Sequence, residues 1–226
     1  MGKFNILSKT ILAAVFISAI ALTYTGCKSD DDTTAPVITL IGNNPLEWVL
    51  NIPWVDPGAT AVDDEDGSVN VSISGTPDVD MKGSYSVTYS ATDNSGNTST
   101  ATRTVNVVNS ADFLAGNYIN ATDSCVSTPI STFDATVLPS NTVNGQFTIS
   151  NFGAFGNAVI VTLMYNSATD KITGNTPQSL SGGANMTQVF NSSAVISTSS
   201  PVIFHVDYQW QDMGGNSDLC FSVYTK

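Results

Sequence analysis

The chain has 226 residues, with 7 basic against 19 acidic side chains and a formal net charge of −12. That balance repels phosphate backbones and anionic headgroups, and no basic patch offsets it, so nucleic-acid binding is excluded. Beyond residue 27 no long stretch shows apolar residues at helical spacing, which excludes a helical domain and leaves an all-β protein.

The first segment is a leader. Lys3 and Lys9 precede an uninterrupted small and apolar run over residues 11–22. As a helix these residues would span about 18 Å, against a hydrocarbon core of about 30 Å. The run is too short to cross a bilayer and has the length of a signal-peptide core. Gly26 and Cys27 follow, then Lys28, Ser29, Asp30, Asp31 and Asp32. This order resembles a bacterial lipoprotein signal, with Tyr24 where that signal usually has Leu. The resemblance implies cleavage after residue 26 and lipidation of Cys27, with acyl chains holding the protein to the membrane. The alternative is an ordinary secretory signal with an incidental cysteine. The polar residues 27–35 read as a disordered tether. The acidic stretch after Cys27 resembles an export signal for the outer face of the outer membrane, so the expected location is the outer membrane, lipid-anchored and facing outward.

With Cys27 carrying lipid, Cys125 and Cys220 remain as an even pair in an oxidising compartment, which favours a disulfide.

Residues 36–108 form the first folded unit. Strands are predicted at 37–41 and 46–50, then at 68–74 with Val69, Val71 and Ile73 on one face. A further strand at 84–91 turns Tyr85, Val87, Tyr89 and Ala91 inward, and 98–108 closes the unit with Val105 and Val107 inward. Arg103 shares their parity. It is expected to lie at an edge, to extend toward water and to pair with a turn carboxylate. Asp56-Pro57-Gly58, residues 63–67 and residues 93–97 are turns. About seven short strands suggest an immunoglobulin-like sandwich. Pro36-Val37-Ile38-Thr39-Leu40, Asp56-Pro57-Gly58-Ala59, Ala61 with Asp63, Asp66-Gly67, Gly83 with Tyr85, Tyr89 with Ala91-Thr92-Asp93, Gly96-Asn97, and Arg103 with Val105 and Val107 carry a resemblance. Together they resemble the bacterial immunoglobulin-like domain of pesticidal crystal proteins, surface lipoproteins and adhesins. That resemblance implies a spacer or recognition module and no catalyst.

Residues 109–111 read as a linker. The second unit, 112–226, holds eight or nine short strands joined by turns. The clearest alternates over 202–211, with Val202, Phe204, Val206, Tyr208 and Trp210 on one face. An antiparallel meander closed into a small β-barrel is expected. Closure would bring the strands of Cys125 and Cys220 together. Gly116-Asn117-Tyr118, Asn151-Phe152-Gly153 and Cys220 resemble a lipocalin-like C-terminal domain of small bacterial lipoproteins, whose members mostly lack an assigned activity.

Chemistry is sparse. His205 is the single histidine and falls on the outward face with Asp207 and Gln209. No catalytic triad, zinc set or nucleophile elbow can be assembled, so no enzyme is expected. The cofactor reading is none, with Ca²⁺ as the candidate. Asp63, Asp64 and Asp66 crowd one turn, and Asp56 and Asp93 would join if their turns share an end of the sandwich. The alternative is a set of solvated turn-formers. Trp48, Trp54, Tyr208 and Trp210 are candidate glycan-contact aromatics, with burial in the core as the alternative. The chain therefore reads as a non-catalytic surface lipoprotein. Its barrel would bind a glycan, peptide or host protein, displayed on an immunoglobulin-like spacer. The competing reading is a structural spacer or subunit of a surface complex.

Overall fold

The computed structural model describes residues 31–154, 159–180, 184–190 and 193–226. The leader and Cys27 lie outside the described residues. Among those described, no helix is long and apolar enough to cross a membrane.

Alternating Val, Thr, Ser and Tyr residues make the strands of the first unit. They are β1 (Val37–Leu40), β2 (Leu46–Val49), β3 (Ala59–Asp63), β4 (Gly67–Val69), β5 (Val71–Ser74), β6 (Gly83–Thr92) and β7 (Thr98–Val108). Two sheets result, in the orders β1-β3-β4 and β2-β7-β6-β5. All pairings are antiparallel except that of β2, which runs parallel to β7 with Leu46 opposite Val105. The strand expected over 68–74 is in fact two. The chain leaves the first sheet at Val69, passes Asn70 and joins the second at Val71. Alternation continues across the break but the inner face does not, and Ile73 is exposed.

Val87, Tyr89 and Val105 form the buried centre of the sandwich, with Ile38, Leu40, Trp48 and Trp54 packed against it. Arg103 joins them at 0 % exposure. Its Nη2 donates to the carbonyls of Ile41 (2.7 Å) and Gly58 (3.1 Å), its Nη1 to that of Asn43 (3.0 Å), and its Nε to the Tyr89 hydroxyl (3.1 Å). Tyr89 in turn donates to Asp56 at 2.6 Å. Arg103 therefore neither extends to water nor touches a carboxylate. It is a buried cation solvated by loop carbonyls, and it reaches Asp56 only through a tyrosine.

The second unit opens with a 3-10 turn (Asp112–Leu114). Then follow β8 (Gly116–Cys125), β9 (Ser131–Pro139), β10 (Gln146–Ser150), a second 3-10 turn (Phe152–Ala154), β11 (Ile160–Asn166) and β12 (Lys171–Gly174). The last five strands are β13 (Gln178–Ser179), β14 (Asn185–Val189), β15 (Ala194–Ser197), β16 (Ile203–Gln211) and β17 (Ser217–Thr225). Antiparallel neighbours run β8-β9-β10-β11-β12-β15-β16-β17, and β17 pairs back onto β8, which closes an 8-strand barrel. The remaining hairpin, β13–β14, is inserted between β12 and β15. β16 carries β15 along residues 203–205 and β14 along residues 208–211 of the same edge. Closure from β12 to β15 rests on a short seam around Lys171 and Ala194.

Inward-facing aromatic residues fill this barrel. Tyr118, Phe147, Phe152, Phe204, Tyr208 and Tyr224 are all fully buried. Phe204 stacks on Tyr224 at 4.5 Å, and Tyr118 meets Phe204 edge-on at 5.3 Å. Such contacts add to the large apolar area each ring buries. Burial pushes the Tyr118 hydroxyl up to about 12 and raises those of Tyr208 and Tyr224 further. The Cys125–Cys220 disulfide joins directly opposed residues of β8 and β17 and closes a separation of 95 residues.

Residues 109–111 do not run free between the two units. Asn109 is only 2 % exposed. Its side-chain amide donates to the carbonyls of Ser140, Val143 and Gln146, and its side-chain oxygen accepts from the amides of Ala111 and Gly145. The β9–β10 loop held in this way touches the sandwich. Lys82 donates its amide to Asn141, Asn51 bonds both Thr142 and Asn144, and Lys82 pairs with Asp112.

Candidate metal centre and other functional residues

Two turns meet at one end of the sandwich. Asp63 closes β3, and its Oδ1 accepts the amides of Glu65 and Asp66, each at 3.0 Å. Asp93 follows β6. Its Oδ1 accepts the Asn97 amide at 2.8 Å and its Oδ2 accepts Asn97 Nδ2 at 2.9 Å. These are local side-chain bonds of the kind that make Asp and Asn turn residues. Asp66 ties the two turns together by accepting from the amide and the side chain of Asn94 at 2.7 and 2.8 Å.

A third carboxylate arrives from the acidic segment before β1. Asp32 offers its carbonyl to Asn97 Nδ2 at 3.1 Å, and its Oδ1 accepts the Thr34 amide at 2.8 Å. One carboxylate oxygen each from Asp32, Asp63 and Asp93 then lie within 4.8 Å of one another. Asp63 is 4 % exposed and Asp93 is 7 % exposed. The Oδ2 atoms of Asp63 and Asp32 are buried without a hydrogen-bond partner. The ion pairs among the described residues are Lys82–Asp112 and the His205–Asp207 contact, so no side-chain cation neutralises this group. Burial works against the Asp93 charge, yet donors from Asn97, Gly96 and Ser95 hold its carboxyl below the ordinary carboxylate range.

The five aspartates singled out from sequence therefore separate. Asp63 and Asp93 come together. Asp56 stands at the opposite end of β3, occupied by Tyr89 and by the Gly58 amide. Asp64 is exposed, and Asp66 is engaged with Asn94. Asp32 was missed, because a run of aspartates in a polar tether carries no periodicity that would distinguish one of them.

The four aromatic candidates separate as well. Trp48 and Trp54 meet edge-on at 4.9 Å and pack on the sandwich core, with Trp48 Nε1 bonded to the Ile52 carbonyl. Tyr208 is inside the barrel and offers no face to a sugar, and Trp210 packs against the barrel core. His205 faces outward, partly exposed, with Nδ1 3.1 Å from Asp207.

Sequence reading also passed over Asp123. It points into the barrel and is buried beside the disulfide. It accepts from the Tyr208 hydroxyl at 3.0 Å and from Ser222 Oγ at 2.7 Å. Burial raises its pKa, with the two hydroxyls opposing the shift. Strict alternation places it on the inner face with Ala121, which was the available signal.

Geometry thus defines an all-β protein in which an immunoglobulin-like sandwich is followed by a closed antiparallel barrel. Residues 38–107, the sandwich, match the family model described as a bacterial surface protein, Ig-like domain. Among solved structures, the lipoprotein BT2262 from Bacteroides thetaiotaomicron is similar at 23% sequence identity, covering 84% of this chain and 99% of that chain with a TM-score of 0.37. Among curated proteins nothing matches.

Proposed function

We propose that this chain is a non-catalytic lipoprotein of the bacterial cell envelope. It is anchored through Cys27 on the outer face of the outer membrane and uses the outside of its barrel to bind a protein. The observation that carries this reading is the barrel itself. Its interior is occupied by packed aromatic side chains, so recognition falls to the exterior. There Val126 is 83 % exposed, and Leu219, Phe221 and Phe190 lie beside it around a shallow pocket next to the disulfide. Exposed apolar groups in one patch mark surfaces that meet other proteins. Small-molecule and glycan ligands are less well served, since Tyr208 is buried and the two sandwich tryptophans pack on their own core.

Crosslinking on intact cells tests the reading, with the wild-type chain set against Phe221→Asp. A crosslinked protein partner that is lost in the variant supports it. Equal crosslinking in both, or none in either, overturns the patch as the binding surface. Labelling with a fatty-acid probe, lost in Cys27→Ser, tests the anchor separately.

A second reading rests on the bonded junction at Asn109. Two units interlocked by a buried asparagine suit a rigid subunit of a surface assembly. In that case the same patch would hold a stoichiometric envelope protein that survives detergent purification.

A further inference from the structure

We propose that Asp32, Asp63 and Asp93 form a Ca²⁺ site, in which the ion fastens the acidic segment preceding β1 to the end of the sandwich. Three observations carry it independently of the function proposed above. The first is spacing. Two oxygens bound to one calcium ion lie about 2.4 Å from it, so they are separated by at most about 4.8 Å. The three carboxylates offer one oxygen each within 4.8 Å of one another.

The second is the unpaired oxygen. Asp63 is nine-tenths buried or more, and its Oδ2 is buried without a donor while its Oδ1 is held by two amides. Asp32 Oδ2 is in the same condition. A buried carboxylate oxygen without a hydrogen bond is costly, and two of them on carboxylates that cluster with a third are costlier. A cation removes both penalties at once, and no lysine or arginine among the described residues pairs with these groups.

The third is pre-organisation. Asp63 and Asp93 are fixed by amides of their own turns, Asp66 locks those turns together through Asn94, and Asn97 holds the Asp32 carbonyl. Two ligands are thus rigid before metal arrives, and the third closes over the ion from a segment with no strand of its own.

Donor chemistry selects the metal. Three carboxylates with no histidine or thiol suit a hard cation rather than zinc or copper. Calcium accepts an irregular shell completed by water, whereas magnesium demands a near-ideal octahedron at shorter distance. An affinity in the range of extracellular modules follows, with Kd about 0.1–1 mM.

Calorimetric titration of the full chain in detergent, with CaCl₂ and separately with MgCl₂, tests the site, followed by melting in calcium or in chelator. The expected result is one calcium per chain, weaker binding of magnesium, and a rise of roughly 5–10 °C in the sandwich's unfolding midpoint at saturating metal. Asp63→Asn should weaken calcium at least tenfold, and Asp64→Asn should stay within twofold. Asp32→Asn is the deciding variant, because Asp32 belongs to no sheet and removing its charge relieves the metal-free cluster, so the metal-free melt should hold or rise while calcium binding falls. It should lose tenfold in affinity even if Asp63→Asn folds poorly. No calcium heat and no midpoint shift at about 10 mM metal would overturn the site. So would wild-type affinity in Asp32→Asn, or an Asp64→Asn loss equal to that of Asp63→Asn, which would reduce the effect to surface charge.

Discussion

Arg103 in the sandwich and Asp123 in the barrel are both ionisable groups buried in a core, and they are housed in opposite ways. Arg103 is surrounded by backbone. Three of its four hydrogen bonds go to carbonyls of the loops that leave β1 and enter β3, and only one goes to a side chain. Asp123 is surrounded by side chains, the hydroxyls of Tyr208 on β16 and of Ser222 on β17. The difference follows from what each core lacks. The sandwich has a small apolar centre and irregular loops whose carbonyls need donors, and a guanidinium supplies several in one plane. The barrel fills its interior with tyrosine and phenylalanine, so Asp123 is met by hydroxyls instead of by loop carbonyls.

Replacing Arg103 should therefore do the most damage. Arg103→Met keeps much of the stem but leaves the carbonyls of Ile41, Asn43 and Gly58 without their donor. The expected cost is about 4 kcal/mol by urea denaturation, since removing one partner of a buried charged network is strongly destabilising. A loss below 1 kcal/mol would mean that water reaches those carbonyls. The barrel should unfold as before, and that contrast is the sharper half of the test.

The barrel's counterpart to Arg103 is covalent. Mutating Cys125 and Cys220 together to Ala releases a loop of 95 residues. Chain entropy puts the stabilisation at about 4–5 kcal/mol, and measured cases typically fall to about 2–4 kcal/mol. Because β8 and β17 remain paired by backbone, about 3 kcal/mol is expected here, confined to the barrel transition. An equal loss in the sandwich transition would show that the two units unfold as one through the Asn109 junction.

Asp123 distinguishes itself by pH. Burial raises its folded pKa above the unfolded value, so the folded state binds the extra proton over that interval. Stability from this group is then greatest at low pH and declines as pH rises from the unfolded value through the raised one. Asp123→Asn removes the slope, so the stability difference between wild type and variant should shrink with rising pH across the mildly acidic range. Denaturant midpoints at several pH values check it, and an opposite slope would mean that the hydroxyl bonds outweigh burial. Near neutral pH the cost of the variant should be about 1–2 kcal/mol, because the amide still accepts from one hydroxyl.

Parity along a strand was the most legible feature. It placed Arg103, Val105 and Val107 on one face of β7, and Phe204, Val206 and Tyr208 on one face of β16. What parity does not carry is the far side of that face. Tyr208 left two readings open, a core residue or a face for a sugar, and closure of the sheet makes it a core residue. Arg103 looked like an edge residue because single-strand reading does not show which loops will cover it. Two losses have a different cause. The break at Asn70 preserves the apolar alternation, so nothing local signals the change of sheet. Asp32 acquires its place only when Asn97, 65 residues away, accepts it as a neighbour. Long-range side-chain contacts of that kind leave no trace in local pattern.

The smallest effect asks whether the barrel's seam is made of backbone throughout. β12 stops pairing with β11 at Gly174, opposite Leu163, which leaves Thr162 without a strand on that side, although β10 flanks it on the other. The side chain of Gln178 takes that position. Its oxygen accepts the Thr162 amide at 2.6 Å and its nitrogen donates to the Thr162 carbonyl at 2.8 Å, while the Gln178 backbone pairs with Met186 of β14. A primary amide can imitate a strand because one of its N–H donors and its carbonyl acceptor lie side by side. Gln178→Ala should then cost about 1 kcal/mol globally. Hydrogen exchange at the Thr162 amide should quicken by roughly tenfold, with Ile172, bonded to the Ser193 carbonyl on the backbone part of the seam, unchanged. Gln178→Glu keeps the acceptor and loses the donor, so it should protect the Thr162 amide while leaving the carbonyl unpaired. If both variants exchange alike at Thr162, the side chain is not what closes the seam, and the barrel is held there by β14 alone.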